Sequence, residues 1–198
     1  MNQPSHELRA DFNAKTIVVY QAFSAEIAAP ALQAQTFVEP FSFTRMTWIK
    51  PSFLWLMERS RWGQSKGQER SLAIRITREG FERALRLSVL TSPDKKIHQS
   101  TEQWELEMKS APVLVQWDPE RSLQGQKLMH RSLQVGLGRS QLEDYTQRWI
   151  TEIRDLTALT QKLRELRRAG ELNQFVNAVA FTEITQRRPR GDGGEPSL

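Results

Sequence analysis

Apolar residues along this chain change period from segment to segment, and the changes outline its elements. Lys15–Phe23 (KTIVVYQAF) is a nearly unbroken run of β-branched and aromatic residues, which predicts a buried strand. Ser24 can cap a short helix running to Gln35, with Ile27, Ala31 and Leu32 on one side. Pro30 falls inside it and predicts a kink or a later start. Phe41–Lys50 reads as extended, and Pro51 opens a helix (PSFLWLMERSRW) that Gly63 stops. In Arg70–Thr77 (RSLAIRIT), Leu72, Ile74 and Ile76 alternate with Ser71, Ala73, Arg75 and Thr77, the pattern of a half-buried strand. Glu79–Leu90 reads as a helix with Phe81 and Leu85 inward. Thr91–Ser110 is polar, contains Pro93, and reads as a loop with some extended structure near Trp104 and Leu106. Pro112–Trp117 and His130–Leu137 are two further strands, with turn chemistry in Asp118–Ser122 and slack at Gly125.

The most sustained periodicity comes late. Leu142, Tyr145, Trp149, Ile153, Leu156, Leu159, Leu163 and Leu166 step by three or four, after a capping box at Ser140–Glu143 and before a stop at Gly170. This predicts one long amphipathic helix, packed against the protein's own sheet or serving as a partner helix. A second helix follows from Glu171, with Leu172, Phe175, Val176 and Val179 on one face. Intermixed strands and helices predict an α+β fold, a single compact domain with a mixed or antiparallel sheet packed by helices. Its expected limits are residues 15–186, after a flexible N-terminus (1–14) and before a basic, Gly-rich disordered tail (187–198).

Composition narrows the chemistry. The 198 residues include no cysteine and only three histidines, which excludes disulfides, thiolate metal sites and a cysteine nucleophile, and no metal centre is expected. The first residues lack a charged start leading into an apolar run, and no stretch reaches the ~18 apolar residues that span a bilayer. A cytoplasmic protein without membrane partners is therefore expected. Charge is concentrated: Arg45–Arg78 holds eight basic and two acidic residues, a net +6 against +5 for the whole chain. The same window holds Trp48, Trp55 and Trp62, half of the six tryptophans.

This window predicts an anion site. On a helix, Ser52, Trp55, Arg59 and Trp62 share a stripe, and a guanidinium between two indoles can stack while presenting donors. The competing reading packs both indoles inward. Lys50 and Ser52 stand at a helix start, where free N–H groups favour anions, although Ser52 is equally a plain N-cap. Gln64–Gln68 lacks the spacing of a phosphate-binding P-loop. Arg45, Lys50 and Arg59 are the expected phosphate ligands and Trp55 or Trp62 the base platform. Gln116, Arg131 and Gln134 complete the ligand-binding set, and Tyr20, Gln21, Asp118 and Glu120 are candidates for catalysis. Asp118 and Glu120 also fit a salt-bridged turn, and no Ser/His/Asp triad is supported.

The run Arg45–Met57 (RMTWIKPSFLWLM), followed by Arg59-Ser60-x-Trp62-Gly63, resembles an uncharacterised family, domain of unknown function number four-two-nine-one. Val19–Ala22, Gly67–Arg70, Gln116–Arg121 and Arg131–Leu137 fit it in order, and the resemblance covers roughly Lys15–Ala180. It implies no particular activity. The order of elements is also reminiscent of the ADP-ribosyltransferase-like fold, including the RNA 2′-phosphotransferases. That similarity implies NAD as cofactor, a His or Arg on an early strand, and a Glu on a late one. Tyr20-Gln21 and Gln134 stand there in this chain.

The function expected is binding of a phosphate-bearing ligand, a nucleotide or RNA, in a basic, tryptophan-lined cleft, with chemistry on it left open. One alternative is a non-enzymatic module that self-associates through its C-terminal helix. The other is an ADP-ribosyltransferase-like enzyme, the case in which NAD is needed; otherwise no cofactor is expected. Oligomeric state is left open.

Overall fold

The computed structural model describes residues 6–171 and has an α+β architecture. β1 (Thr16–Phe23), β3 (Arg70–Thr77) and β7 (Ile150–Asp155) form an antiparallel sheet in the order β1-β3-β7. A second sheet has the order β2-β6-β5-β4, from β2 (Thr47–Ile49), β6 (Lys127–Leu137), β5 (Val113–Arg121) and β4 (Ser88–Leu90). Its strands are antiparallel except for the parallel pair β4–β5. The helices are α1 (Ala25–Ala34), α2 (Phe53–Ser60), α3 (Arg78–Arg86), α4 (Thr101–Ser110), α5 (Arg139–Asp144) and α6 (Thr157–Ala169). A π-helical turn, Tyr145–Trp149, follows α5.

By its contacts the chain divides into a main unit, Met1–Gln161, and a second, Lys162–Leu198. Of the second, Lys162–Glu171 are described: α6 ends at Ala169 with Arg167 and Arg168 in its last turn, and Gly170 takes a positive φ of 78°. Cations in a last helical turn face the unpaired carbonyls and suit the dipole.

In the main unit, apolar residues of both sheets, among them Val19, Ile49, Ile74, Val115 and Val135, share one core with Phe37 and Phe81. The sheets meet where Tyr20 and Lys50 exchange backbone hydrogen bonds, Tyr20 N–H to Lys50 O at 2.7 Å and Lys50 N–H to Tyr20 O at 3.2 Å. The adjacent Gln21 is buried and consolidates the junction. Its Nε2 donates to Thr47 Oγ1 (2.7 Å) and Trp48 O (3.3 Å), and its Oε1 accepts from the Tyr145 hydroxyl (2.7 Å). Burial pushes the Tyr145 phenol well above its ordinary pKa, so it stays a donor.

Several sequence expectations are corrected. The long helix over Leu142–Leu166 does not form: α5, the π-helical turn, β7 and α6 divide it. Tyr145, Trp149 and Ile153 are buried as the periodicity implies, but Ile150–Asp155 pairs with β3, whose backbone groups would otherwise lack a partner on that edge. The self-associating module therefore loses the continuous helix on which it rested. Thr91–Ser110 is not all loop. Its second half is α4, capped by Ser100 Oγ accepting Gln103 N–H, and it provides the crossover that the parallel pair β4–β5 requires. None of its residues is buried, which explains the missing hydrophobic stripe; Trp104 Nε1 ties it to Leu90 O at 2.8 Å.

The predicted helix over Glu79–Leu90 ends at Arg86, and Ser88–Leu90 joins a sheet. Phe41–Lys50 is a strand only over Thr47–Ile49. β5 continues through Asp118–Arg121, so the reversal falls at Ser122–Gln126, where Ser122 N–H donates to Gln126 O. β3 is more than half-buried, because partners on both edges leave Ser71 and Ala73 covered as well. Pro30 stays inside α1, which starts at Ala25 behind Ser24. The predicted second helix, Leu172–Val179 in the main, and the tail 187–198 lie outside the described residues.

Gly80 on α3 lies against Trp149, and a Cβ there would sit 2.4 Å from the indole ring. Gly80→Ala should therefore destabilise the fold by about 1–3 kcal/mol through overpacking. Chemical denaturation checks this; an unchanged midpoint would refute the packing assigned to Trp149.

Candidate functional site

Strand register explains how the polar residues gather. Side chains directly opposite each other in an antiparallel pair lie on one face of the sheet. Ile49, Val135 and Val115 oppose one another and face the core, as do Thr47, Leu137 and Val113. The intervening positions belong to the other face: Trp48 opposite Gly136, Gln134 opposite Gln116, and Ser132 opposite Asp118. One residue beyond the β2 pairing, the same register sets Lys50 across from Gln134. Lys50, Gln134 and Gln116 thus form a transverse polar row on the outer face.

That row belongs to a cleft of about 620 Å³. Its other walls come from Arg45 and Met46 before β2, from Leu56 and Arg59 on α2, and from Gly67 and Gln68 in the loop that follows. Phe23, Ile27 and Phe41 add apolar surface. Gly136 allows Trp48 and Met46 to lie close over β6: a Cβ there would sit 3.0 Å from the Trp48 ring and 2.7 Å from Met46 Sδ. The chain reaches the Gly67 wall through Arg61, Trp62 and Gly63, all left-handed with φ of 52°, 58° and 70°. Trp62 is buried, and Ser60 Oγ accepts Gly63 N–H at 3.2 Å within this turn.

Lys50 dominates the electrostatics. It is buried, and Nζ donates to Trp48 O at 3.3 Å, with no carboxylate within salt-bridge reach among the described residues. Burial, reinforced by the Arg59 charge, pushes its pKa from 10.5 down to about 8, with Asp118 acting in the opposite direction. Arg45 and Arg59 are exposed and likewise lack an ion-pair partner among the described residues. Of the other cations of the basic window, Arg70 pairs with Asp155, Arg75 with Asp11 and Glu152, and Arg78 with Glu82, whereas Arg61 and Lys66 are exposed and form no ion pair among the described residues.

The sequence-derived candidates divide into two sets. Arg45, Lys50, Arg59, Gln21, Gln116 and Gln134 line the same cleft. Asp118 is not in the lining but binds two of these residues, accepting Gln116 Nε2 on Oδ1 (2.8 Å) and Gln134 Nε2 on Oδ2 (2.6 Å). The rest are placed elsewhere. Trp55 and Trp62 are interior side chains, 6% exposed each, and the left-handed turn carries Trp62 off the helical stripe. A guanidinium does lie over Trp55, but it belongs to Arg121, 5.8 Å from the ring centroid and paired with Glu58 at 3.1 Å. Ser52 caps α2 by accepting Trp55 N–H at 3.0 Å. Tyr20 packs edge-on against Phe53, Glu120 is buried with Oε1 accepting Arg121 N–H, and Arg131 donates to Trp117 O. The cleft's indole is Trp48, two residues before Lys50, a spacing that strand alternation alone would have put on the same face.

A family model for a domain of unknown function, DUF4291, matches residues 7–184. The chain belongs to this family. Among curated proteins the search gave no match. No helix of the described residues is long and apolar enough to cross a membrane. In this DUF4291 protein the run Arg45–Gly63 supplies Arg45, Lys50, Arg59 and Trp48 of the cleft and the left-handed turn.

A lysine whose folded pKa lies below its unfolded value carries an unfavourable charge in the fold at neutral pH. The unfolded chain binds the extra proton between about pH 8 and 10.5, so this group makes stability rise with pH across that window. Lys50→Met should stabilise the protein near neutral pH, by an amount on the order of 1–3 kcal/mol, and the gain should vanish above about pH 10. Denaturation curves at both pH values test this; destabilisation at neutral pH would sink it.

Proposed function

We propose that this DUF4291 protein binds a phosphate-bearing ligand, a nucleotide or RNA, in the cleft between α2 and the polar face of the second sheet. The observation that carries this reading is the convergence of Arg45, Lys50 and Arg59 without a carboxylate partner among the described residues, one of them buried at a cost in stability. A buried ammonium is expensive unless something compensates it, and a phosphate oxygen does so with a charge-assisted hydrogen bond. The two arginines at the rim offer forked donors to the remaining oxygens. Trp48 supplies an aromatic surface beside them. With its proton held near pH 8, Lys50 is also suited to hand that proton to a leaving oxygen.

Tryptophan fluorescence, with Trp48 in the cleft as reporter, tests the proposal against nucleoside monophosphates and short single-stranded RNA. Saturable quenching at low salt is expected, weakening as salt rises because bound counterions compete. Arg59→Met should weaken binding about tenfold or more, the value of one charge-assisted contact. Affinity should also fall above about pH 8, where free Lys50 loses its proton. No response to any phosphate ligand at low salt overturns the reading.

A further inference from the structure

Gln116 and Gln134 are held in one orientation by Asp118. An ionised carboxylate only accepts hydrogen bonds, so each glutamine must turn its Nε2 towards Asp118, as the 2.8 Å and 2.6 Å contacts require. Neither amide is free to flip. Each is left with its Oε1 and one remaining N–H, and neither glutamine has a further partner among the described residues. Gln134 is only 6% exposed, and both side chains line the cleft. Two pre-oriented donor–acceptor edges therefore stand in the same transverse row as Lys50.

We infer that the cleft selects a mononucleotide, with the Gln116 and Gln134 amides reading the edge of its base. The inference rests on the phosphate reading above and adds the part of the ligand that the cations do not touch. Nucleobases present paired donors and acceptors along one edge, and a glutamine amide matches such an edge in bidentate fashion. Neighbouring strands lie roughly 5 Å apart, so Gln134 and Gln116 stand roughly 5 and 10 Å along the row from Lys50, a span comparable to that from phosphate to base in a nucleotide. A cleft of about 620 Å³ has the volume of a small-ligand site. Along β3 a longer polyanion finds no run of open cations, because Arg70 and Arg75 are already paired with carboxylates.

Asp118 is a positioning residue, and Asp118→Asn is the informative variant. An asparagine amide has one oxygen and one nitrogen, so it satisfies one glutamine as before and forces the other to turn round. Calorimetric titration of the full chain with inorganic phosphate, ribose 5-phosphate, AMP, CMP, GMP and UMP reads the result. Phosphate and ribose 5-phosphate should bind similarly, and at least one nucleotide should bind about tenfold or more tighter than ribose 5-phosphate. In Asp118→Asn that ratio should collapse to within about threefold or transfer to a different base. Gln116→Leu, at a half-buried position, should lower the same ratio and serves if Asp118→Asn does not fold. Nucleotides no tighter than ribose 5-phosphate, or a ratio unchanged in both variants, overturn base reading while the phosphate site stands. An RNA oligonucleotide that binds far tighter than every mononucleotide, with a steep salt dependence, also overturns it in favour of a polymer. Failure of phosphate and ribose 5-phosphate to bind overturns the phosphate reading, and this inference with it.

Discussion

The backbone hydrogen bonds between Tyr20 and Lys50 hold the two sheets together where β1 passes the end of β2. Because Lys50 is pinned by its main chain at this junction, the face from which its side chain leaves the strand is fixed. Strand alternation then directs it to the polar face of the second sheet, beside Gln134 and Gln116. Gln21 reinforces the same junction from the other side, with Thr47, the Trp48 carbonyl and the Tyr145 hydroxyl saturating its amide. The fold thus places a cation where solvation is poor, and surrounds the junction with hydrogen bonds strong enough to keep it there.

The electrostatic consequence is local. Of the basic residues concentrated in Arg45–Arg78, Arg70 and Arg75 on β3 are balanced by acids from distant parts of the chain, and Arg78 by Glu82 one turn along α3. Arg45, Lys50 and Arg59, which line the cleft, have no ion-pair partner among the described residues. Asp118, the carboxylate that acts on the Lys50 charge, is occupied with two glutamine amides and stands outside salt-bridge range. Three cations and the amides of Gln134 and Gln116 thus line one cleft.

Much of this was legible in the sequence. β1 and β3 follow from apolar runs, and the cation cluster follows from counting charge. Lys50, Gln116 and Gln134 were named together as binding candidates, but their placement in one transverse row was not deducible, since it depends on the register between strands far apart in the chain. Local signals failed where tertiary pairing overrode them. Ile150–Asp155 continues a helical period yet becomes a strand because the edge of β3 requires one. α4 forms without a buried face because a parallel pair needs a crossover. Trp55 and Trp62 share a helical stripe with Arg59 on paper, but α2 ends at Ser60 and the following residues wind the opposite way.

That reversal gives Trp62 a mechanical part in the molecule. Left-handed backbone at Arg61 and Trp62 stores roughly 1–2 kcal/mol for each residue, which burial of the indole offsets. The indole acts as a pin, and the loop bearing Gly67 and Gln68 hangs from it as one jaw of the cleft. A side chain that looked like an aromatic platform instead anchors a wall of the cleft.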